Sequence, residues 1–436
     1  MSGKKQFLRV KGACMTVTLC VILLNLSCAT PPYAASEARE VPEDFFGIAP
    51  FQQDLVPRDF EMMDELGVVW QRRTCRWSSL EPLQGEWNFR GWDAYVRGSK
   101  EAGNKLLAIL GYDTAWLHGK EDAPRKITPE ELPHYLNFVE TVVSRYKGEI
   151  DAYEIWNEPN MMSWKGPEED FFAMTRAAAQ KIRELDPDAI IVGGSFWRVP
   201  AGFMKKMFES GALDYVDAIS FHPYALNPGG SVKLYDKLAK ILEACHFSGE
   251  IWVTEVGYPT SGWYPTRVRE KNFPRDIVKT LAGLATRRIR VLMWYELKDS
   301  YNRGEAPSRF NSEYYFGISY LDHSLKNGYY AWALCGRNLA GAEYLPELPL
   351  RLDLPKRTVS LCFRGSGNKN TLILWNEWGM DVKVRVTLPG AGQTVYDIST
   401  GEGSPLGDEA ELRITGVPLF ITWISETPLP GVAKIK

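Results

Sequence analysis

The chain has 436 residues, 45% of them hydrophobic and 24% charged, enough apolar material for one large globular domain and a smaller one. Its formal net charge is -3, without the basic excess or stripe that neutralises phosphates, so a nucleic-acid partner is excluded.

The chain opens like an export signal. Lys4, Lys5, Arg9 and Lys11 form a positive segment. "MTVTLCVILLNL", Met15 to Leu26, is an apolar stretch too short for a comfortable membrane span. Ser27-Cys28-Ala29 offers two exits: cleavage after Ala29, or lipid attachment at Cys28. Asn25 stands where lipidation motifs usually carry Leu. Residues 1–29 are therefore read as a signal peptide or lipoprotein signal, and 30–42 as a linker. The expected location is periplasmic, extracellular or lipid-anchored to a bacterial membrane. Four later cysteines, Cys75, Cys245, Cys335 and Cys362, are widely spaced and read as free thiols rather than a zinc site or a disulfide framework.

From Phe45 a rhythm of short apolar runs and longer amphipathic ones begins. Strands are predicted at "FFGIAPF" (45–51), "VVWQRR" (68–73), "KLLAILGY" (105–112), "AYEIWNE" (152–158), "AIIVGGS" (189–195), "VDAISFH" (216–222), "IWVTEVG" (251–257) and "RVLMWYEL" (290–297). Helices are predicted at 57–67, 128–148, 167–187 and 231–246. The first has Pro at its start and Gly at its end. Strands alternating with helices pair in parallel. Eight of them, with no glycine-rich phosphate turn after the first, favour a (β/α)8 barrel over an open doubly wound sheet. The barrel is expected over 43–342.

After about residue 345 the pattern changes. "TVSLCFRG", "NTLILWNEW", "VKVRVTLPG", "TVYDIST", "AELRITG" and "LFITWI" are short strands between Gly-rich turns. They imply a small antiparallel β-sandwich over 343–430.

A barrel of this kind works at the C-terminal ends of its strands. The polar residues there are Arg72 and Arg73 after strand two, Tyr112 and Asp113 after strand three, and Asn157 and Glu158 after strand four. Strand six adds His222 and Tyr224, strand seven Glu255, and strand eight Trp294, Tyr295 and Glu296. Pro159 stops strand four directly behind its polar pair. Two carboxylates with indole rings suit glycoside hydrolysis. One carboxyl protonates the leaving oxygen while the other attacks or stabilises an oxocarbenium-like carbon.

"IWNEPN" and "WVTEVGYPT", in that order, resemble the retaining glycoside hydrolases of clan A. "WSSLEPLQGEWNFRGWDAYV" (77–96), "FHPY" (221–224), "WYELKD" (294–299) and "EYYFGI" (313–318) are similar to bacterial family 39-type and family 5-type members. The resemblance covers roughly 43–340. It implies Glu158 as acid/base and Glu255 as nucleophile, with no metal or organic cofactor. It also implies that Asn157 binds the 2-hydroxyl, Tyr224 bonds the nucleophile, His222 lies near the acid/base and Arg72 keeps Glu255 ionised. Adjacent Arg73 leaves the choice of arginine open. Trp294 is expected as the sugar platform, with Tyr112 and Trp116 also touching substrate.

The expected partner is a β-linked glycan. Hydrolysis, transglycosylation on the same site and idle glycan binding remain as readings. Xyloside, glucan, mannan and exopolysaccharide all remain open as substrates. Loops 112–127 and 258–275, with Trp116, Trp263 and Tyr264, decide exo against endo action, and endo action is the expectation. Trp164 and Trp197 read equally as subsite platforms or loop anchors. Glu81 reads as a turn residue. Glu377 in "WNEW" lacks a second carboxylate, and the sandwich, despite Trp375, Trp378 and Trp423, reads as a structural appendage.

Overall fold

The computed structural model describes residues 33–425, except 51–54, 120–124, 162, 264, 306, 309, 348–349, 351, 353 and 408. The export-signal reading of 1–29, with Cys28, lies outside the described residues. No described helix is long and apolar enough to cross a membrane.

Eight strands close into a parallel barrel. They are Phe46–Ala49, Trp70–Arg76, Lys105–Gly111, Ala152–Ile155, Ile190–Trp197, Ala218–His222, Glu250–Val256 and Val291–Tyr295. The four predicted helices are present as Pro57–Leu66, Leu132–Arg145, Glu168–Leu185 and Pro228–Ala244. The first ends where predicted, because Gly67 takes φ 70, a left-handed value that glycine adopts without steric cost. Arg90–Glu101, Ala201–Glu209, Phe273–Ala285 and Asn327–Leu339 join them.

Strand alternation sends every second side chain inward. Trp70, Leu107, Ala152, Val192, Trp252 and Met293 share one apolar cluster inside the barrel. Trp70 and Trp252 meet edge-on there, with ring centroids 4.9 Å apart. Two residues further along the same strands, the interior becomes polar. Arg72, Glu154, Ser220 and Thr254 are all buried.

This parity corrects two expectations. The second strand runs to Arg76, so Arg72 and Arg73 lie within it and not at its exit. Met293 faces the interior, so Trp294 must face outward. It is fully buried in the main core and packs on Tyr258 and Phe273. Trp294 therefore cannot be the sugar platform.

Six C-terminal strands and one N-terminal strand form a seven-stranded antiparallel sheet, and two more C-terminal strands pair separately. Arg39–Glu40, inside the stretch read as a linker, pairs with Glu343–Leu345 at the edge of the larger sheet. The strand Lys369–Asn376 is buried on both faces. Leu372 and Leu374 meet Val384 and Leu412 of the smaller sheet, while Ile373 and Trp375 belong to the main core. This two-sided burial explains the continuous apolar run "LILW". Trp375 meets Tyr33 edge-on, and the Lys279 ammonium lies 5.2 Å from its ring. Glu377 accepts the Trp375 indole N–H and pairs with Lys279 at 3.4 Å. Trp423 is also buried, whereas Trp378 is exposed. Cys75, Cys335 and Cys362 are buried free thiols, and Cys245 is a half-buried one.

A shared core has a consequence. Cutting the chain after Ala342 uncovers the apolar residues that Trp375 and Phe420 cover, so the barrel alone should aggregate or melt well below the full chain. A truncated barrel with an unchanged Tm contradicts the shared core.

Candidate active site

Strand four ends at Ile155, and the chain then turns sharply. Trp156 and Glu158 take φ values of 67 and 48 on either side of Asn157. Such left-handed values in non-glycine residues are costly and concentrate at functional sites. The turn is held from behind. Trp156 Nε1 donates to the Ser163 carbonyl at 3.0 Å, and the Ser163 hydroxyl donates to the carbonyls of Asn157 and Glu158. The Glu158 amide donates to the Ser195 carbonyl at 2.9 Å.

Arg72 rises from the barrel interior into the middle of this group. Its Nε donates to Glu154 at 2.7 Å and its Nη2 to Asn157 Oδ1 at 2.7 Å, while its Nη1 donates to Glu255. Burial works against the charge on Arg72, but the Glu154 and Glu255 carboxylates hold its pKa above the ordinary value. Arg73 points elsewhere and lies over the Tyr95 ring at 4.7 Å. The arginine choice left open by the sequence thus falls on Arg72.

Glu255 also accepts the Tyr224 hydroxyl at 3.0 Å. Burial opposes its ionisation, yet the His222 ring in its charged form, Arg72 and the Tyr224 bond together lower its pKa. Burial and the Glu255 charge raise the Tyr224 phenol well above its usual value, so it remains a donor. His222 stands between the two carboxyls. Its Nδ1 lies 2.7 Å from Glu158 Oε1 and 3.7 Å from Glu255 Oε2, and its Nε2 is 3.1 Å from Thr254 Oγ1. One atom from each of Glu158, His222 and Glu255 lies within 4.8 Å of the others. These donors are already engaged, and the Arg72 guanidinium brings the positive charge that a metal ion would supply.

A cavity of about 280 Å³ opens above this group. Arg72, Asn157, Glu158, Tyr224 and Glu255 line it, together with Tyr112, Trp197, Tyr295 and Glu313. Asn157 Oδ1 is taken by Arg72 and Ser195, which leaves its NH2 group as the donor for the cavity. Trp116 is not part of the lining. It sits in the turn Ala115–His118, donates to the Glu81 carbonyl at 2.9 Å and packs on Trp77, so it is a loop anchor. Trp164 is buried, and Trp263 is 85% exposed. Glu81 accepts the Trp77 indole and the Gly85 amide, as a turn residue does. The loops 112–127 and 258–275 are described only in part, since 120–124 and 264 fall outside.

The strand-eight residues divide differently from the sequence reading, and Glu154 escaped it. Tyr295 replaces Trp294 at the cavity, and its hydroxyl donates to Glu313 at 3.1 Å. Burial raises the Glu313 pKa. Glu296 is fully buried, and neither carboxylate oxygen has a hydrogen-bond partner among the described residues. Burial, Glu313 and Asp299 push its pKa well above normal, which keeps it uncharged. Glu154 was hidden inside an apolar run. The available signal was parity with Ala152, which makes it an inward charge in a barrel strand.

The whole fold matches known structures. A family 39 glycoside hydrolase from Bacteroides cellulosilyticus WH2 aligns with a TM-score of 0.73 at 21% identity, covering 88% of this chain and 81% of that one. The chain has the fold of the family 39 glycoside hydrolases. A monomeric β-xylosidase from Caulobacter crescentus CB15 aligns at 0.65 and 14% identity, over 91% of this chain and 98% of its own. In sequence, 134 residues are 28% identical to endo-1,4-β-xylanase A from Phanerodontia chrysosporium, spanning 28% of this chain and 31% of that protein. No family model matches the chain. The clan A resemblance read from "IWNEPN" and "WVTEVGYPT" thus holds at the level of fold.

The Glu255 environment sets a titration. A carboxyl whose folded pKa is lowered stabilises the fold above its unfolded value, and that contribution is lost as pH falls through the folded pKa. By 13C NMR, Glu255 should titrate below ordinary glutamates, and Tyr224→Phe should raise its midpoint. A Glu255 midpoint at or above the usual value of about 4.3 contradicts the arrangement.

Proposed function

We propose that this protein is a retaining β-glycoside hydrolase, with Glu255 as nucleophile and Glu158 as acid/base. The observation that carries this reading is the pair itself. Two carboxyls from the fourth and seventh strands have oxygens within 4.8 Å of one another, one gripped by an arginine and the other by a histidine. Retaining enzymes hold their carboxyls about 5–5.5 Å apart, and inverting ones about 6.5–9.5 Å to admit a water.

The reaction follows from these environments. Glu255, ionised by Arg72 and Tyr224, attacks the anomeric carbon as Glu158 protonates the leaving oxygen and the glycosidic bond breaks. The ester so formed removes the charge of Glu255. Glu158, now ionised, takes a proton from water, which attacks the same carbon and releases Glu255. The Asn157 amide donates to the hydroxyl beside the reacting carbon. A cavity of about 280 Å³ lies just below the usual size range of ligand pockets, which suits one sugar seated at the cleavage point. Likeness to a xylanase and a β-xylosidase makes β-xylosides the first substrate class. The positive segment and apolar run before Ala29 support export, and N-terminal sequencing of the mature protein tests it.

Turnover of aryl β-xylosides and xylan should fall by roughly 10³-fold or more in Glu255→Gln. The first product seen by 1H NMR should be the β-anomer. Equal activity in wild type and variant removes Glu255 as nucleophile, and an α-anomer removes retention. Glu158→Gln should spare aryl glycosides with good leaving groups far more than unactivated ones, and azide should restore turnover by replacing water.

A further inference from the structure

We propose that Glu154 is a positioning residue that acts on both reacting carboxyls, and that through Thr254 it fixes the ring tautomer of His222 so that Nδ1 accepts a hydrogen bond from Glu158. The second half of this rests on Glu158 being the acid/base.

The argument is a count of protons. Glu154 is fully buried at the centre of the barrel, where its carboxylate can only accept. Oε2 receives Arg72 Nε at 2.7 Å. Oε1 receives two hydroxyls, Ser220 at 2.6 Å and Thr254 at 3.0 Å. A threonine hydroxyl has one proton, and Thr254 has given it to Glu154. Thr254 Oγ1 can therefore only accept from His222 Nε2, 3.1 Å away. Nε2 carries the hydrogen, and in a neutral ring Nδ1 is then a lone pair. That lone pair faces Glu158 Oε1 at 2.7 Å.

The polarity of this last contact matters. A ring that donated from Nδ1 would stabilise Glu158 as a carboxylate. A ring that accepts stabilises the protonated carboxyl, the form a general acid needs before it gives the proton to a leaving oxygen. The same Glu154 holds Arg72 in place, and Arg72 keeps Glu255 ionised. One buried carboxylate thus imposes opposite protonation states on two carboxyls that share a cavity.

The groups facing Glu158 are His222, Glu255, Tyr224 and Glu313. Of these, Thr254 touches only His222, so changing it acts on Glu158 through the ring and leaves the Arg72 contacts intact. In Thr254→Val the Nε2 hydrogen loses its acceptor. In Glu154→Gln the amide can accept from Arg72 only by donating toward Ser220 and Thr254, which turns the Thr254 proton toward His222. Both variants favour the Nδ1–H tautomer and an ionised Glu158. Thr254→Ser keeps the hydroxyl and serves as the rescue.

The test combines 15N NMR of labelled histidine with pH profiles. The chain has five histidines, and the His222 signal is the one lost in His222→Gln. In wild type, the neutral His222 ring should carry its hydrogen on Nε2, and Thr254→Val and Glu154→Gln should shift it to Nδ1. The basic limb of kcat/KM should move to lower pH in Thr254→Val and return in Thr254→Ser. Unactivated β-glycosides should lose roughly tenfold in kcat and dinitrophenyl glycosides less than about threefold, because only the former need the acid. A purely structural defect would slow both alike. A neutral wild-type His222 ring that carries its hydrogen on Nδ1 overturns the proposal, as does an unchanged pH profile in Thr254→Val. If the wild type cleaves no β-glycoside, the proposed function fails, and the tautomer measurement still decides the role of Glu154.

Discussion

The site depends on one buried cation. Arg72 sits fully enclosed in the barrel, where an unpaired guanidinium would be very costly. It is tolerated because Glu154, Glu255 and the Asn157 oxygen surround it, with Ser195 Oγ at 3.3 Å. These partners come from the fourth, fifth and seventh strands. The requirement to satisfy Arg72 therefore draws three strand ends to a common centre. The site is organised by the same contacts that make the buried charge affordable.

The barrel interior is layered by chemistry. Its apolar cluster, with Trp70 against Trp252, fills one end as a core does. Two residues further along, the same inward positions carry Arg72, Glu154, Ser220 and Thr254. Parity decides membership of these layers, except where the register shift between Val253 and Val256 lets Thr254 and Glu255 both reach the site. Parity is why Tyr295 reaches the cavity while Trp294 is committed to the outer core.

The two carboxyls that face the cavity differ in what their neighbours can donate. Glu255 receives a guanidinium and a phenol, both donors across the working pH range. Among the described residues, the Glu158 carboxyl has only an imidazole at hydrogen-bond distance, whose polarity is set by its other nitrogen. Two glutamates of equal intrinsic acidity thus meet different partners, a charged guanidinium at Glu255 and an imidazole at Glu158. The C-terminal sheets contribute from a distance. Their inner face completes the core around the helix Phe273–Ala285, which follows the strand that carries Glu255.

The barrel and the later antiparallel strands were legible in the sequence because their signals are local. Alternating apolar runs, proline and glycine punctuation and the change of rhythm after 345 are each set by neighbouring residues. Glu158 and Glu255 were legible for the same reason, since each lies in a short polar segment at a strand exit. Long-range partners were not. Arg72 could not be told from Arg73, Glu154 looked like part of a core strand, and Trp116 looked like a sugar platform. Each was settled by which atoms the closed barrel places within hydrogen-bond reach across separations such as the 183 residues between Arg72 and Glu255. The sequence by itself determined the element types and the two carboxyls. Only the tertiary structure decided which charges meet, because strand closure and side-chain parity act between residues that the linear order keeps apart.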